Sequence, residues 1–418
     1  MKRKLEKKQV LVGKKIKMKS IELFPDDICY EILKYLNFQQ VLLNACKISK
    51  QFYRISTTRY EFTIKSEETA DDWFKYKSIW TKFVKYCEKH HCPYLKNVRT
   101  LIIIDVLLVL DDDEWEIVCA MKELRELRLE IFIKTLENKQ IQMLAKHLTK
   151  LEKIILGGNV SDENVQQFQL FPNLTSLKIP QGHITNLKNI AKLEKLTELD
   201  IGECCDIVLD DGLSPLALMK NLTSLSLSKI VFAPEEYKPI TQLPRLVSLD
   251  VSSSDNTVES IKILTSSLKQ LTIFNISNNF LIGDEAARLI GESLKQLTFL
   301  NISNTNLQPQ GVKYICELTE LRHLEMGENQ IFDQEVVFIC KSKFSSKLTN
   351  LDLKNTRISK ECLKSLSTLD NLQYLNLMFT EIDKSNITFP FKKLRFLTLK
   401  ENNLDGDELE ELTNFNQQ

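Results

Sequence analysis

"LTFLNI", residues 297–302, decides the fold, because the same phrase returns along most of the chain. Before it come "LRELRL" (124–129), "LEKIIL" (151–156), "LTSLKI" (174–179), "LTELDI" (196–201), "LTSLSL" (222–227), "LVSLDV" (246–251) and "LTIFNI" (271–276). After it come "LRHLEM" (321–326), "LTNLDL" (348–353), "LQYLNL" (372–377) and "LRFLTL" (394–399). An imperfect first copy is "VRTLII" at 98–103, and the step between copies is 22–27 residues. The fourth and sixth positions of each phrase face one side and the third and fifth the other, which is the two-residue period of a strand.

A few residues beyond each phrase stands a small or polar group: Asn159, Cys204, Ser254, Asn279, Thr305, Asn329, Thr356, Thr380 or Asn402. An Asn there can satisfy backbone groups at the turn that leaves the strand. Phe132, Gly182 and Ile230 break the rule, and less regular turns are expected at those places. The second half of a repeat reads as helix in "GDEAARLIGESL" (283–294), "QEVVFIC" (334–340), "SKECLKSL" (359–366) and "GDELEELT" (406–413), with apolar residues three and four apart. The pattern resembles the leucine-rich repeat. That resemblance implies an α/β solenoid of about thirteen repeats over residues 95–418, with parallel strands on the concave face and helices on the convex face.

Composition sets the outer limits. The 418 residues carry 56 Lys or Arg against 56 Asp or Glu, a balance that argues against nucleic acid as the main ligand. Residues 1–20 are an exception, a basic tail expected to be flexible. The longest apolar run, "LIIIDVLLVL" (101–110), contains Asp105 and is too short to span a bilayer. Ten cysteines without framework spacing fit buried free thiols in a reducing compartment. The expectation is a cytoplasmic or nuclear protein with no membrane contact.

Residues 21–56 do not repeat. "LFPDDICYEILKYL" (23–36) has Pro25 in a first helical turn and Asp26 and Asp27 at the positive end of the helix dipole. Ile28, Ile32, Leu33 and Leu36 follow as one apolar stripe, and shorter amphipathic pieces carry Ile48 and Phe52. This stretch resembles the F-box, the three-helix motif by which substrate receptors dock on the Skp adaptor of cullin–RING ubiquitin ligases. The resemblance implies adaptor contacts at Pro25, Ile28, Ile32, Leu33, Leu36, Ile48 and Phe52. The sequence departs from the motif at Phe24, Gln40 and Phe52, where Leu, Asp and Trp are usual. A second reading makes these helices a cap over the first repeat. Residues 57–94, including "DDWFKYKSIWTKFVKYCEKHH" (71–91), read as a helical linker and N-terminal cap.

The strand period also names a concave face. Its charged members include Glu126, Arg128, Lys153 and Lys178. The expected substrate contacts are Glu198, Asp200, Asp250, Ile273, Phe299, Glu325, Asp352, Tyr374 and Phe396. Aromatic groups beside carboxylates suit a protein with basic and apolar side chains.

Catalytic and metal motifs are weak. "CEKHHC" (87–92) lacks the paired geometry of a structural zinc site, and "DDDE" (111–114) fits a helix start better than a calcium loop. His147, His183 and His323 fall in distant repeats, so no nucleophile–base pair assembles. No catalytic residue, metal or cofactor is assigned. The resemblances together imply a non-catalytic receptor bridging a Skp-type adaptor, with its cullin–RING ligase, to a protein substrate. An interaction scaffold with a helical cap is the alternative, and a GTPase regulator fits less well because the repeat step is uneven.

Overall fold

A computed structural model describes residues 61–65, 98–104, 112–130, 136–158, 160–203, 212–382 and 391–399. Each leucine phrase forms one strand, and every strand pairs in parallel with the next. The strands are β1 (Glu61–Lys65), β2 (Thr100–Ile104), β3 (Glu126–Glu130), β4 (Lys153–Gly157), β5 (Ser176–Lys178), β6 (Glu198–Asp200) and β7 (Ser224–Ser226). They continue as β8 (Ser248–Asp250), β9 (Ile273–Asn275), β10 (Phe299–Asn301), β11 (His323–Glu325), β12 (Asn350–Asp352), β13 (Tyr374–Asn376) and β14 (Phe396–Thr398). One 14-stranded sheet results, its spatial order identical to the chain order. This is a leucine-rich-repeat solenoid.

The sheet starts earlier than the leucine phrases do. β1 pairs with β2 over five residues, Glu61 against Thr100 through Lys65 against Ile104. It lies inside the 57–94 segment read as a helical linker, so the boundary at 95 is one strand late. "EFTIK" carries none of the leucine spacing that marks the other strands.

Burial follows the period. Leu177, Leu199, Leu225, Leu249, Phe274, Leu300, Leu324, Leu351 and Leu375 stack behind the sheet, one per strand, and each is fully buried or nearly so. At about 25 cal/mol per Å² of apolar surface, each such side chain contributes roughly 1.5–3 kcal/mol. A repeat alone has nothing to bury this surface against, so stability comes from stacking neighbours.

The convex side is more varied than a helix in every repeat. The helices are α1 (Asp112–Cys119), α2 (Asn138–His147), α3 (Asp162–Gln167), α4 (Lys188–Ala191), α5 (Val258–Ser267), α6 (Gly283–Ser293), α7 (Pro309–Ile315), α8 (Asp333–Cys340) and α9 (Leu363–Leu366). Between α4 and α5 the described residues hold only 3₁₀ turns, at Ser214–Leu218, Pro234–Tyr237 and Ile240–Gln242. Pro215, Pro234, Pro239 and Pro244 lack the amide hydrogens that a continued helix needs.

The turns leaving the strands use two devices. A buried Asn acts as a hub: Asn329 Nδ2 donates to the carbonyls of Ile302 (2.8 Å), Met326 (3.1 Å) and Gly327 (3.1 Å), and its Oδ1 accepts from the amides of Thr305 (3.1 Å) and Leu307 (2.9 Å). Asn279 does the same two repeats earlier, linking Val251, Ile276 and Ser277 to Ser254 and Asn256. Thr305, Thr356 and Thr380 each donate a hydroxyl to one carbonyl instead. The second device is a left-handed residue in each of nine successive repeats: Gln181, Glu203, Lys229, Ser253, Asn278, Asn304, Glu328, Asn355 and Phe379, with φ between 53° and 63°. Irregular turns were expected at Gly182 and Ile230, yet Gln181 and Lys229 keep the common conformation. There the Gly182 and Ile230 amides themselves donate to Ile179 and Leu227. Backbone replaces the missing side chain. Phe132, Asn159, Cys204 and Asn402 lie outside the described residues.

Candidate functional site

Pairing register turns the concave face into two rows. The first runs Ser176, Glu198, Ser224, Ser248, Ile273, Phe299, His323, Asn350, Tyr374, Phe396 from β5 to β14. Beside it run Lys178, Asp200, Ser226, Asp250, Asn275, Asn301, Glu325, Asp352, Asn376, Thr398. The nine residues expected to touch a substrate all fall on these rows, but they do not form one surface.

The first half is an ion-pair ladder. Lys153 sits 3.2 Å from Glu126, and Lys178 lies 2.8 Å from Glu198. Burial pushes the Glu198 carboxyl up, but hydrogen bonds from Lys178 and Ser176 outweigh it and leave the group below the usual range. Glu198 is therefore already satisfied within the protein. Ser224, Ser226 and Ser248 then open the middle of the face.

The aspartates of the second row hold turns. Asp200 Oδ1 accepts from the Gly202 amide (3.0 Å), Asp250 Oδ1 from Ser252 (2.9 Å) and Asp352 Oδ1 from Lys354 (2.8 Å). Asn275, Asn301 and Asn376 make the same bond two residues on, to Ser277, Ser303 and Met378. Asp and Asn alternate because either offers the oxygen that the turn requires. The recurring acid is thus first a device of the backbone. Only its charge is left over for other uses.

From β9 to β14 the character changes. Ile273, Phe299, His323, Tyr374 and Phe396 occupy the first row with Asn350 between them, and Phe396 is 65% exposed. The Phe299 and His323 rings lie 5.4 Å apart. Burial lowers the His323 pKa, which favours the neutral ring. Asn301 Nδ2 donates to Glu325 Oε2 (2.6 Å) and Asn376 Nδ2 to Asp352 Oδ2 (2.8 Å). Burial, and then the neighbouring Asp352, raise the Glu325 pKa. A carboxyl raised by folding stabilises the fold only at pH below its unfolded value, and that benefit is lost as pH rises through the folded value. At neutral pH Glu325 therefore opposes folding. Glu325→Gln is expected to raise the unfolding free energy by about 0.5 kcal/mol, the scale of one part-exposed charge, seen as a higher urea midpoint. A lowered midpoint would show the carboxylate to be a stabilising group instead.

A feature that the strand period does not reveal lies beyond the strand ends. A groove of about 620 Å³ crosses the turns of five repeats, lined by residues that include Phe280, Asn304, Asn329, Arg357 and Phe379. Phe379 is 47% exposed in the left-handed conformation, a strained choice for a bulky side chain. Phe280 is 58% exposed.

Other chemistry is sparse among the described residues. No group of three or more His, Cys, Asp or Glu is arranged to hold a metal ion, and no helix is long and apolar enough to cross a membrane. Burial pushes the Cys119 and Cys340 thiols up to about 11 and Cys316 to about 12, so they are protonated core groups at neutral pH. His147 ends α2, His183 forms an isolated parallel bridge with Ser161 and His323 is on β11. Pro25, Ile28, Ile32, Leu33, Leu36, Ile48, Phe52 and the "CEKHHC" stretch lie outside the described residues.

Comparison with known proteins adds the remaining part. Residues 21–63 match the F-box domain family. No curated protein sequence matches. Among solved structures, an internalin of Listeria monocytogenes is 20% identical, with a TM-score of 0.47 over 75% of this chain and 92% of its own. TLR13, solved in complex with a single-stranded RNA, is 22% identical, with a TM-score of 0.46 over 72% of this chain and 42% of its own. The F-box match ends within β1, so the chain joins an F-box domain at residues 21–63 directly to a leucine-rich-repeat solenoid.

Proposed function

We propose that this chain is the non-catalytic substrate-recognition subunit of a cullin–RING ubiquitin ligase, working in the cytoplasm or nucleus. The F-box binds a Skp-type adaptor through Pro25, Ile28, Ile32, Leu33, Leu36, Ile48 and Phe52, and the concave face binds a protein substrate. The observation that carries this reading is the F-box match placed immediately ahead of a solenoid whose inner face is open. A receptor of this kind needs no reacting groups, because holding a substrate near the charged ubiquitin carrier raises its effective concentration.

A pull-down with a purified Skp-type adaptor tests it. Wild type is expected to bind, and an Ile32→Asp/Leu36→Asp variant to lose binding by more than a hundredfold, since two charges enter an apolar contact. Circular dichroism verifies that the variant keeps its solenoid. Absence of adaptor binding by wild type would make the opening helices a cap and the protein an interaction scaffold.

A further inference from the structure

Among the described residues, two carboxylates on the concave face have no ion pair with a Lys or Arg. Glu325 and Asp352 are register partners on β11 and β12. Neighbouring strands lie about 4.8 Å apart, close enough for both groups to grip one guanidinium. Asn301 and Asn376 orient them with neutral amide donors. Lys354, two residues after Asp352, is turned to Glu328 at 3.0 Å.

The surroundings have one sign and one texture. Each of the strands β9 to β14 contributes two concave positions, and these hold Glu325 and Asp352 but no Lys or Arg. The β3–β6 half, in contrast, neutralises itself with Lys153 and Lys178. In the first row, Asn350 leaves a gap between the His323 and Tyr374 rings, and that gap lies beside Asp352. A planar cation entering there has the two acids beside it and aromatic rings on the two neighbouring strands. Exposed apolar surface continues outward on Ile273 to one side and Phe396 to the other.

We infer that the β9–β14 face docks an extended protein segment that inserts an arginine between His323 and Tyr374 onto Glu325 and Asp352, with apolar side chains flanking it. Six strands at about 4.8 Å span roughly 24 Å, the length of about seven extended residues. Charge complementarity selects arginine: the face is anionic and aromatic, and among the described residues its two carboxylates meet amide donors and no cation. The raised pKa of Glu325 agrees: burial is its first cause and the nearby Asp352 its second, and a bound cation would offset both. This inference rests on the reading that the concave face holds a protein substrate.

The test uses the full-length chain and fluorescence anisotropy with a labelled, capped peptide, Gly-Ser-Leu-Phe-Arg-Leu-Phe-Gly-Ser, and versions with Gln or Glu at the centre. The Arg peptide is expected to bind at least tenfold more tightly than the Gln peptide, and the Glu peptide more weakly still. In a Glu325→Gln/Asp352→Asn variant the Arg and Gln peptides should bind alike. That variant keeps the turn, because Asn fills the equivalent role at 275, 301 and 376. Equal affinities for the three peptides, no saturable binding of the Arg peptide, or an unchanged preference in the variant would each overturn the inference. Adaptor binding measured on the same preparation separates the two readings. Adaptor capture without Arg preference removes this inference and leaves the ligase reading intact, whereas Arg preference without adaptor capture does the reverse.

Discussion

Asn329→Ala is expected to lower the stability of the repeats around it by about 3–5 kcal/mol. Asn329 is 7% exposed and makes five hydrogen bonds that join two repeats. Alanine would leave the Thr305 and Leu307 amides and the Met326 carbonyl without their partner, while the Ile302 and Gly327 carbonyls keep the Thr305 hydroxyl and the Asn304 amide. Each buried polar group left unpaired costs roughly 1–3 kcal/mol, and several share the loss here. Asn329→Thr should recover about half, because Thr305, Thr356 and Thr380 satisfy one carbonyl each at the equivalent place. Urea unfolding followed by hydrogen exchange would show the effect: loss of protection centred on β10 to β12, with β3 to β6 little changed. A midpoint indistinguishable from wild type would mean that the hub is dispensable.

Gly291→Ala has the second largest expected effect, and its sign is diagnostic. Gly291 lies inside α6, where alanine is normally favoured over glycine by about 1 kcal/mol. An added Cβ would fall within contact radius of the Tyr314 carbonyl oxygen and 2.8 Å from its carbon, both backbone atoms of α7. Backbone cannot rotate away as a side chain can, so the two helices must separate and the buried Ile290 and Ile315 lose packing. A net destabilisation of about 2–3 kcal/mol follows from overpacking of this kind. An increase in the thermal midpoint would show that α6 and α7 have slack between them.

Much of this could be read from the leucine phrases because their period is tied to burial at every copy. Strand positions, inward residues and the parallel order follow from it. β1 could not be found this way: "EFTIK" enters the sheet through backbone pairing, which needs no leucine. Nor does the period separate the two uses of an acid. Asp200, Asp250 and Asp352 fall where binding residues would, yet the turn explains why an oxygen stands there. Glu325 breaks that pattern, since its carboxylate accepts from the Asn301 side chain of the neighbouring strand. The aromatic run at Ile273, Phe299, Tyr374 and Phe396 was legible, and its distinctness from the Glu198 half was not, because the Lys178 pair depends on register. The groove between Phe280 and Phe379 joins residues of five repeats through turn geometry, which the spacing of leucines does not encode.

Because β1 overlaps the end of the F-box match and every later strand is added in chain order, the sheet works as a ruler. Distance along the sheet from the F-box end is counted in whole strands of about 4.8 Å, with no finer graduation. Evolution can therefore reposition a cargo only in discrete notches, by gaining or losing a repeat. A point change can alter what is held, but not where it is presented.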